Sequence, residues 1–287
     1  MLIALAKLIR LPLVFTAVAD SLAGYLLSSP FEVEFSKIIG LVFASACLYS
    51  AGMLFNDVVD LEKDRKWHPT RSLPSGAVSL QMAVVFGGIL IILGLLLGYM
   101  VRFHTFVVAF IVVILIFSYN GIFKGNRVLG SLNMGLLRFA NFALGISVNC
   151  GLNIMDRVEF PFLLFIYVSL LTMISTLEEG ESRKELFILM GGLLAIDVLA
   201  INIFIERQVV GLLVSLVLIG LLINQMVRSL KVFSRESVKE MVKMLVVGII
   251  PFDAVMLLGD GEYTAGFCVL LLLLPSFLLQ RIVKLEA

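Results

Sequence analysis

Charge is scarce in this chain. Asp, Glu, Lys and Arg make up 15% of its 287 residues, against roughly a quarter in soluble domains. The three cysteines, Cys47, Cys150 and Cys268, are odd in number and show no metal-type spacing. That excludes a disulfide framework and a thiolate metal centre, and they read as buried thiols. No linker, low-complexity stretch or internal repeat divides the chain, so residues 1–287 read as one domain. The net charge of +1 singles out no partner, and no nucleic acid is expected. The first apolar run lacks a small-x-small cleavage site and reads as a retained helix rather than a signal peptide.

What the chain has in quantity is hydrocarbon. It is 60% hydrophobic, with a mean hydropathy of +1.08. Apolar segments fall at 11–28, 37–56, 79–101, 104–120, 129–149, 160–178, 186–205, 209–227, 240–258 and 264–282. About 20 apolar residues suffice to span about 30 Å of hydrocarbon, and lipid leaves a spanning backbone no choice but helix. The expectation is an all-α integral membrane bundle of nine to ten transmembrane helices enclosing a cavity.

The basic residues orient that bundle. Of the 22 lysines and arginines, only Lys37, Arg102, Arg157 and Arg207 fall in the loops of one side, and only Arg138 lies within a span. The rest share the other side, which the positive-inside rule makes cytoplasmic. Both termini then face the cytoplasm of a bacterial- or archaeal-type plasma membrane.

The acids gather on the same side. Directly after the second span the chain reads Asn56-Asp57-Val58-Val59-Asp60-Leu61-Glu62-Lys63-Asp64. Asp57, Asp60 and Asp64, at i, i+3 and i+7, share one helical face, as do Asn56, Asp60 and Asp64 at i, i+4 and i+8. Like charges in one stripe repel and call for a cation. An oxygen-only donor set suits Mg²⁺, which is commonly held by one or two carboxylates together with substrate phosphates. The polar segments at 65–76, 119–127 and 175–184 converge on this face, so acids and bases meet above a greasy interior. An amphiphile with a diphosphate head and an isoprenoid tail would fit such a place.

Two charges inside apolar spans stand out. Asp20 and Arg138 each cost at least ~2.5–3.5 kcal/mol at that depth, so each faces a partner or a wet cavity. They either pair structurally or take part in binding acceptor or diphosphate. Asn141 shares the face of Arg138, and Asn133 is a weaker candidate for the same cavity. Asp197 and Asn202 suggest hydrogen bonds between helices.

These residues resemble the UbiA superfamily of intramembrane prenyltransferases. Asn56-Asp57-x-x-Asp60-x-x-x-Asp64 matches its first Asp-rich motif at every defined position. Arg71-Ser72-Leu73-Pro74-Ser75-Gly76 resembles the segment that follows, with Ser72 in place of proline, and Phe117-Ser118-Tyr119 with Lys124 resembles the tyrosine-and-lysine segment after the fourth helix. The resemblance implies Mg²⁺-dependent transfer of a prenyl group from an isoprenoid diphosphate to a hydrophobic or aromatic acceptor in the bilayer. It implies metal ligands among Asn56, Asp57, Asp60, Asp64, Glu178 and Glu181, with Asp60, Asp64 and Lys124 catalytic. Arg65, Arg71, Lys124 and Arg127 would hold diphosphate, and Asp20, Tyr119, Arg138 and Asn141 would line a cavity whose aromatic rings shelter a carbocation.

The second Asp-rich motif departs from the family pattern. Ile174 and Leu177 stand where acids are expected, leaving Glu178, Glu179 and Glu181, which suggests a divergent branch akin to the UbiA-like EboC proteins. A non-enzymatic member that binds or moves a prenylated lipid is the competing reading. A secondary transporter lacks support in any inverted repeat, and the D-G-x-x-A-R signature of CDP-alcohol phosphotransferases is absent.

Overall fold

Hydrocarbon offers the backbone no hydrogen-bond partners, so each apolar segment closes its own ladder. The computed structural model describes residues 2–28, 33–151, 153, 157–178, 183–205 and 208–283, and among them the regular structure is helical throughout. The helices are α1 Leu2–Leu8, α2 Leu11–Leu27, α3 Phe35–Val59, α4 Leu61–Trp67, α5 Leu80–Val101, α6 Phe103–Ser118, α7 Arg127–Cys150 and α8 Glu159–Ser175. They continue with α9 Lys184–Ala200, α10 Gln208–Lys231, α11 Arg235–Val247, α12 Ile249–Gly259, α13 Tyr263–Leu271 and α14 Leu273–Val283. A π-helical turn, Tyr119–Phe123, extends α6, and a 3₁₀ turn, Ile201–Ile203, extends α9.

Each of the ten apolar segments is occupied by helix. Seven helical stretches are long and apolar enough to cross a membrane, and α1 with α2, bent by 47°, makes an eighth. Of the other two segments, α8 has only 17 residues, and α7 has 24 but is diluted by Asn133, Arg138 and Asn141. Among the described residues, seven or eight spans thus qualify by length and composition alone, and the exact count of nine to ten is not confirmed.

The ninth and tenth apolar segments are each broken, a further break precedes the first, and proline explains all three. A proline has no N–H to give the carbonyl four residues back, and its ring clashes there. Pro12, Pro251 and Pro275 lie four residues after Leu8, Val247 and Leu271, where α1, α11 and α13 end. Each proline then sits in the first turn of the next helix, where a missing donor costs little.

α2 packs on α7 and α12, α7 on α6 and α8, and α3 on α5. The α2–α7 contact is closest where neither helix has a side chain. A Cβ on Gly145 would run into the Ser21 carbonyl, and one on Gly24 into the Phe142 carbonyl. Outward faces remain apolar: Ile92, Leu96, Val217, Leu221, Phe267 and Leu278 are all exposed, as a lipid-facing surface requires. The cysteines follow that rule. None of the three forms a disulfide, but Cys47 and Cys150 are only half-buried and Cys268 is exposed, because a side chain bathed in lipid need not be enclosed by protein.

Replacing Gly145 by Val should lower thermal stability in nanodiscs by about 1–3 kcal/mol or abolish folding, as overpacking does. Gly192→Ala, where an added Cβ meets nothing within 4 Å, should leave the unfolding midpoint unchanged or raise it.

Candidate active site

The acidic stripe forms across a helix junction. α3 ends at Val59 and α4 begins at Leu61, yet Asp60 N–H donates to the Asn56 carbonyl at 3.1 Å and Asp64 N–H to the Asp60 carbonyl at 2.8 Å. The helical repeat therefore continues through the break and keeps Asn56, Asp60 and Asp64 on one face.

Each carboxylate of the stripe meets a cation from a different part of the chain. Asp57 lies 3.7 Å from the guanidinium of Arg10, at the junction of α1 and α2. Asp60 is bound at 2.6 Å by Lys124, which also donates to the Asn56 carbonyl at 3.1 Å. Asp64, 3% exposed, receives both its bonds from one nitrogen of Arg71, at 2.9 and 2.8 Å. The mutual repulsion expected of the stripe is thus relieved by protein cations. Burial pulls the Lys124 ammonium below the usual lysine range, while Asp60 pushes it back up. Arg10 adopts left-handed backbone, φ 50°, a conformation costing roughly 1–2 kcal/mol for a residue with a Cβ.

The other sequence candidates divide. Arg65 is turned to Glu62 at 2.6 Å on the exposed side of α4. Arg127 is exposed at the first position of α7, whose N-terminus Asn126 caps by accepting from the Val128 and Leu129 N–H groups. Tyr119 opens the π-helical turn that leads to Lys124. Glu178 follows α8, half-buried, and Glu181 lies outside the described residues. Ile174 and Leu177, at the positions where acids were expected, are buried in the apolar core. Among the described residues no three acids, histidines or cysteines gather as a metal cage. The donors at the stripe nevertheless fit Mg²⁺ shared with phosphates, which needs only one or two carboxylates. Asp57 Oδ1 in particular is buried without a hydrogen-bond donor.

A cavity of about 150 Å³ shares Arg10 with the stripe and is lined further by Tyr49, Arg138, Asn141 and Thr172, with aliphatic and methionine side chains among them. The aromatic-rich lining expected from the resemblance is not formed. Tyr49 is the one ring among the lining residues; Phe103, Phe110 and Phe117 are exposed instead.

Arg138 belongs to a buried polar cluster. Its guanidinium donates to Asp20 Oδ2 at 2.8 Å and to Thr16 Oγ1 at 2.8 Å, and lies 5.2 Å from the centre of the Tyr49 ring. Asn141 donates to Asp20 at 3.0 Å and to the Ala17 carbonyl at 2.7 Å, and Ser45 lies 2.8 Å from the Asn141 carbonyl oxygen. Arg138 and Asn141 face the cavity, whereas Asp20 is wholly buried behind them. Asn133 donates to the Leu115 carbonyl on α6 and does not line the cavity. Asn202 bonds Ser215 of α10 at 3.1 Å, but neither Asp197 oxygen accepts a hydrogen bond among the described residues, so the bond expected there is not formed.

Sequence reading missed Arg10, Tyr49 and Asp253. Arg10 passed as an ordinary cytoplasmic anchor. Tyr49 sits seven residues before Asn56, two turns along the same face, and that spacing was a usable signal. Asp253 is a carboxyl inside an apolar span, the same signal that marked Asp20.

The profile of the UbiA prenyltransferase family matches residues 17–179. Digeranylgeranylglyceryl phosphate synthase of Methanocaldococcus jannaschii is 32% identical over 139 residues, covering 48% of this chain and 49% of that protein. The chain thus spans about half the length of the curated relatives it matches. Among solved structures, one described as giving insights into digeranylgeranylglyceryl phosphate synthase in membranes superposes with a TM-score of 0.62 at 24% identity, covering 90% of this chain and 97% of that one. A UbiA homologue from Archaeoglobus fulgidus bound to DMAPP and Mg²⁺ superposes with a TM-score of 0.67 at 13% identity, covering 92% and 98%.

Breaking the buried pair with Asp20→Asn should destabilise the protein by about 1–3 kcal/mol, because Arg138 loses the carboxylate it is bonded to and keeps only Asp253, to which it makes no hydrogen bond. Adding Arg138→Gln should restore part of that loss. Equal stability of the single variant and the wild type in thermal unfolding would refute the pairing.

Proposed function

The chain belongs to the UbiA prenyltransferase family, and from that premise we propose that it transfers a prenyl group from an isoprenoid diphosphate to a lipid acceptor inside the membrane. The observation that carries this reading is the juxtaposition at the mouth. Three carboxylates on one helical face are each met by a cation from a separate segment, and one of those cations, Arg10, also lines an apolar cavity. A diphosphate needs cations, its counter-ion needs carboxylates, and its tail needs hydrocarbon; all three are within reach of one another.

Asp60 and Asp64, with Asn56 on the same face, are the residues that would hold Mg²⁺, as the Archaeoglobus homologue is described with it; when bound it supplies positive charge beside the leaving diphosphate. Lys124, Arg71 and Arg10 supply further charge there from the protein, and fixed cations aimed at a developing anion are among the strongest catalytic devices. As the allylic C–O bond breaks, its electrons leave with the diphosphate. The acceptor's attacking atom forms the new bond to that carbon and gives up its proton. At about 150 Å³ the cavity is smaller than the ~300–1,000 Å³ of ordinary ligand pockets, so a long tail would extend beyond it toward lipid. The relatives' name, with its glyceryl phosphate, supports a lipid acceptor over an aromatic one. The distribution of Lys and Arg supports a cytoplasmic mouth and cytoplasmic termini.

A second reading, binding or movement of a prenylated lipid without chemistry, has one specific support. Where the family pattern carries the acids of its second motif, this chain buries Ile174 and Leu177.

In proteoliposomes, magnesium-dependent release of diphosphate from an allylic donor should fall by about 10²–10³-fold in Asp60→Asn and Asp64→Asn, with the unfolding midpoint of the protein largely kept for the more exposed Asp60. Turnover unchanged in both would refute the metal assignment, and no release from any allylic donor by the wild type would favour the second reading.

A further inference from the structure

Behind the cavity wall, Asp20 of α2 faces a second carboxyl, Asp253 of α12. Both are wholly buried, and the two side chains lie within hydrogen-bonding reach of each other. Asp20 Oδ2 takes the bonds from Arg138 and Asn141. Asp20 Oδ1 and both oxygens of Asp253 receive no N–H or O–H from any other described group.

The donors that face the pair are already committed. Both N–H groups of the Asn141 amide are used, on Asp20 and on the Ala17 carbonyl. The Thr16 hydroxyl donates to the Leu13 carbonyl, and the Tyr167 hydroxyl of α8, the neighbour of Asp253 on that side, donates to the Leu245 carbonyl. Tyr49 of α3 presents its ring to Arg138. One guanidinium therefore stands against two carboxyls at hydrocarbon depth. Two ionised carboxylates would leave a net buried negative charge, at an effective cost that remains large even after relaxation. A single proton removes that charge and provides the missing donor at once.

We propose that Asp20 and Asp253 share one proton, which makes Asp253 a positioning residue: through Asp20 it fixes the Arg138 guanidinium at the cavity wall. The cluster is then neutral, Arg138 balancing one carboxylate, and the carboxylic acid O–H closes the hydrogen-bond network. Asp253 lies beyond the family-matched residues 17–179, so α12 completes a wall whose other members come from α2, α3 and α7. The consequence for Arg138 rests on the function proposed above; the shared proton does not.

Infrared spectroscopy of the full chain in nanodiscs tests the proton directly. The background is Asp197→Asn, since Asp197 is also buried without donors. A carboxylic acid carbonyl band above the amide region should be present at neutral pH, and it should shift when aspartate is labelled with ¹³C at the side-chain carboxyl. It should disappear on further substitution Asp253→Asn, which keeps a donor toward Asp20 and should fold. Absence of a label-sensitive band, or a band that persists undiminished after Asp253→Asn, would overturn the proposal. Labelling requires no variant at Asp253, so a failure of Asp253→Asn to fold leaves the first criterion in force. For turnover, Asp253→Asn should keep kcat/KM for the acceptor within about threefold, while Asp253→Leu, with no donor, should lower it about tenfold. Equal losses in both would remove the positioning role even with the proton confirmed.

Discussion

Arg138 lies near the midpoint of α7, roughly 16 Å along its axis from Arg127 at 1.5 Å per residue, and a cation at such depth must have a fixed counter-charge. Asp20 provides it at 2.8 Å. The rest of the bundle is arranged so that this contact can exist. Gly24 and Gly145 let α2 and α7 approach until backbone nearly touches backbone, Thr16 and Asn141 take up the remaining bonds, and α12 closes the far side with Asp253. Helices packed in lipid gain little from the hydrophobic effect between them, so close packing and interhelical hydrogen bonds carry the association. In this protein they coincide at one cluster, and that cluster forms the inner wall of the cavity.

The mouth of the cavity follows the same electrostatic logic under wetter conditions. Acids from one helix face are matched by bases from three separate segments: the bend between α1 and α2, the loop after α4 and the turn after α6. Their convergence on the stripe aligns the chain's scarce charges above its hydrocarbon interior, and a headgroup bearing phosphates would meet both signs of charge there.

Much of this was legible in the sequence, for identifiable reasons. Apolar runs must be helical in lipid, so the ten helical segments could be placed before any coordinates. The spacing of Asn56, Asp60 and Asp64 put them on one face, and the helical repeat does run through the α3–α4 junction. The cost of burying a charge marked Asp20 and Arg138 as a pair or a cavity feature. The breaks in the ninth and tenth segments were signalled by Pro251 and Pro275, which read as kinking or capping helices, and in each a helix ends four residues before the proline. Pairings that depend on tertiary approach were out of reach. Arg10 against Asp57, and Asp253 against Asp20, join segments separated by long stretches whose packing no local pattern encodes. The exposure of Phe103, Phe110 and Phe117 was equally hidden, because an apolar side chain reads the same whether it faces lipid or a cavity.

The central claim is that this cavity is a place of reaction rather than of storage. Its most direct test is mass spectrometry of proteoliposomes holding the full-length protein, an allylic isoprenoid diphosphate and Mg²⁺, with a glycerol-phosphate lipid as acceptor. The account predicts a product heavier than the acceptor by one prenyl group, formed with stoichiometric diphosphate and absent when the metal is chelated. Tight binding of the donor with no new lipid species, across aromatic as well as lipid acceptors, would contradict it.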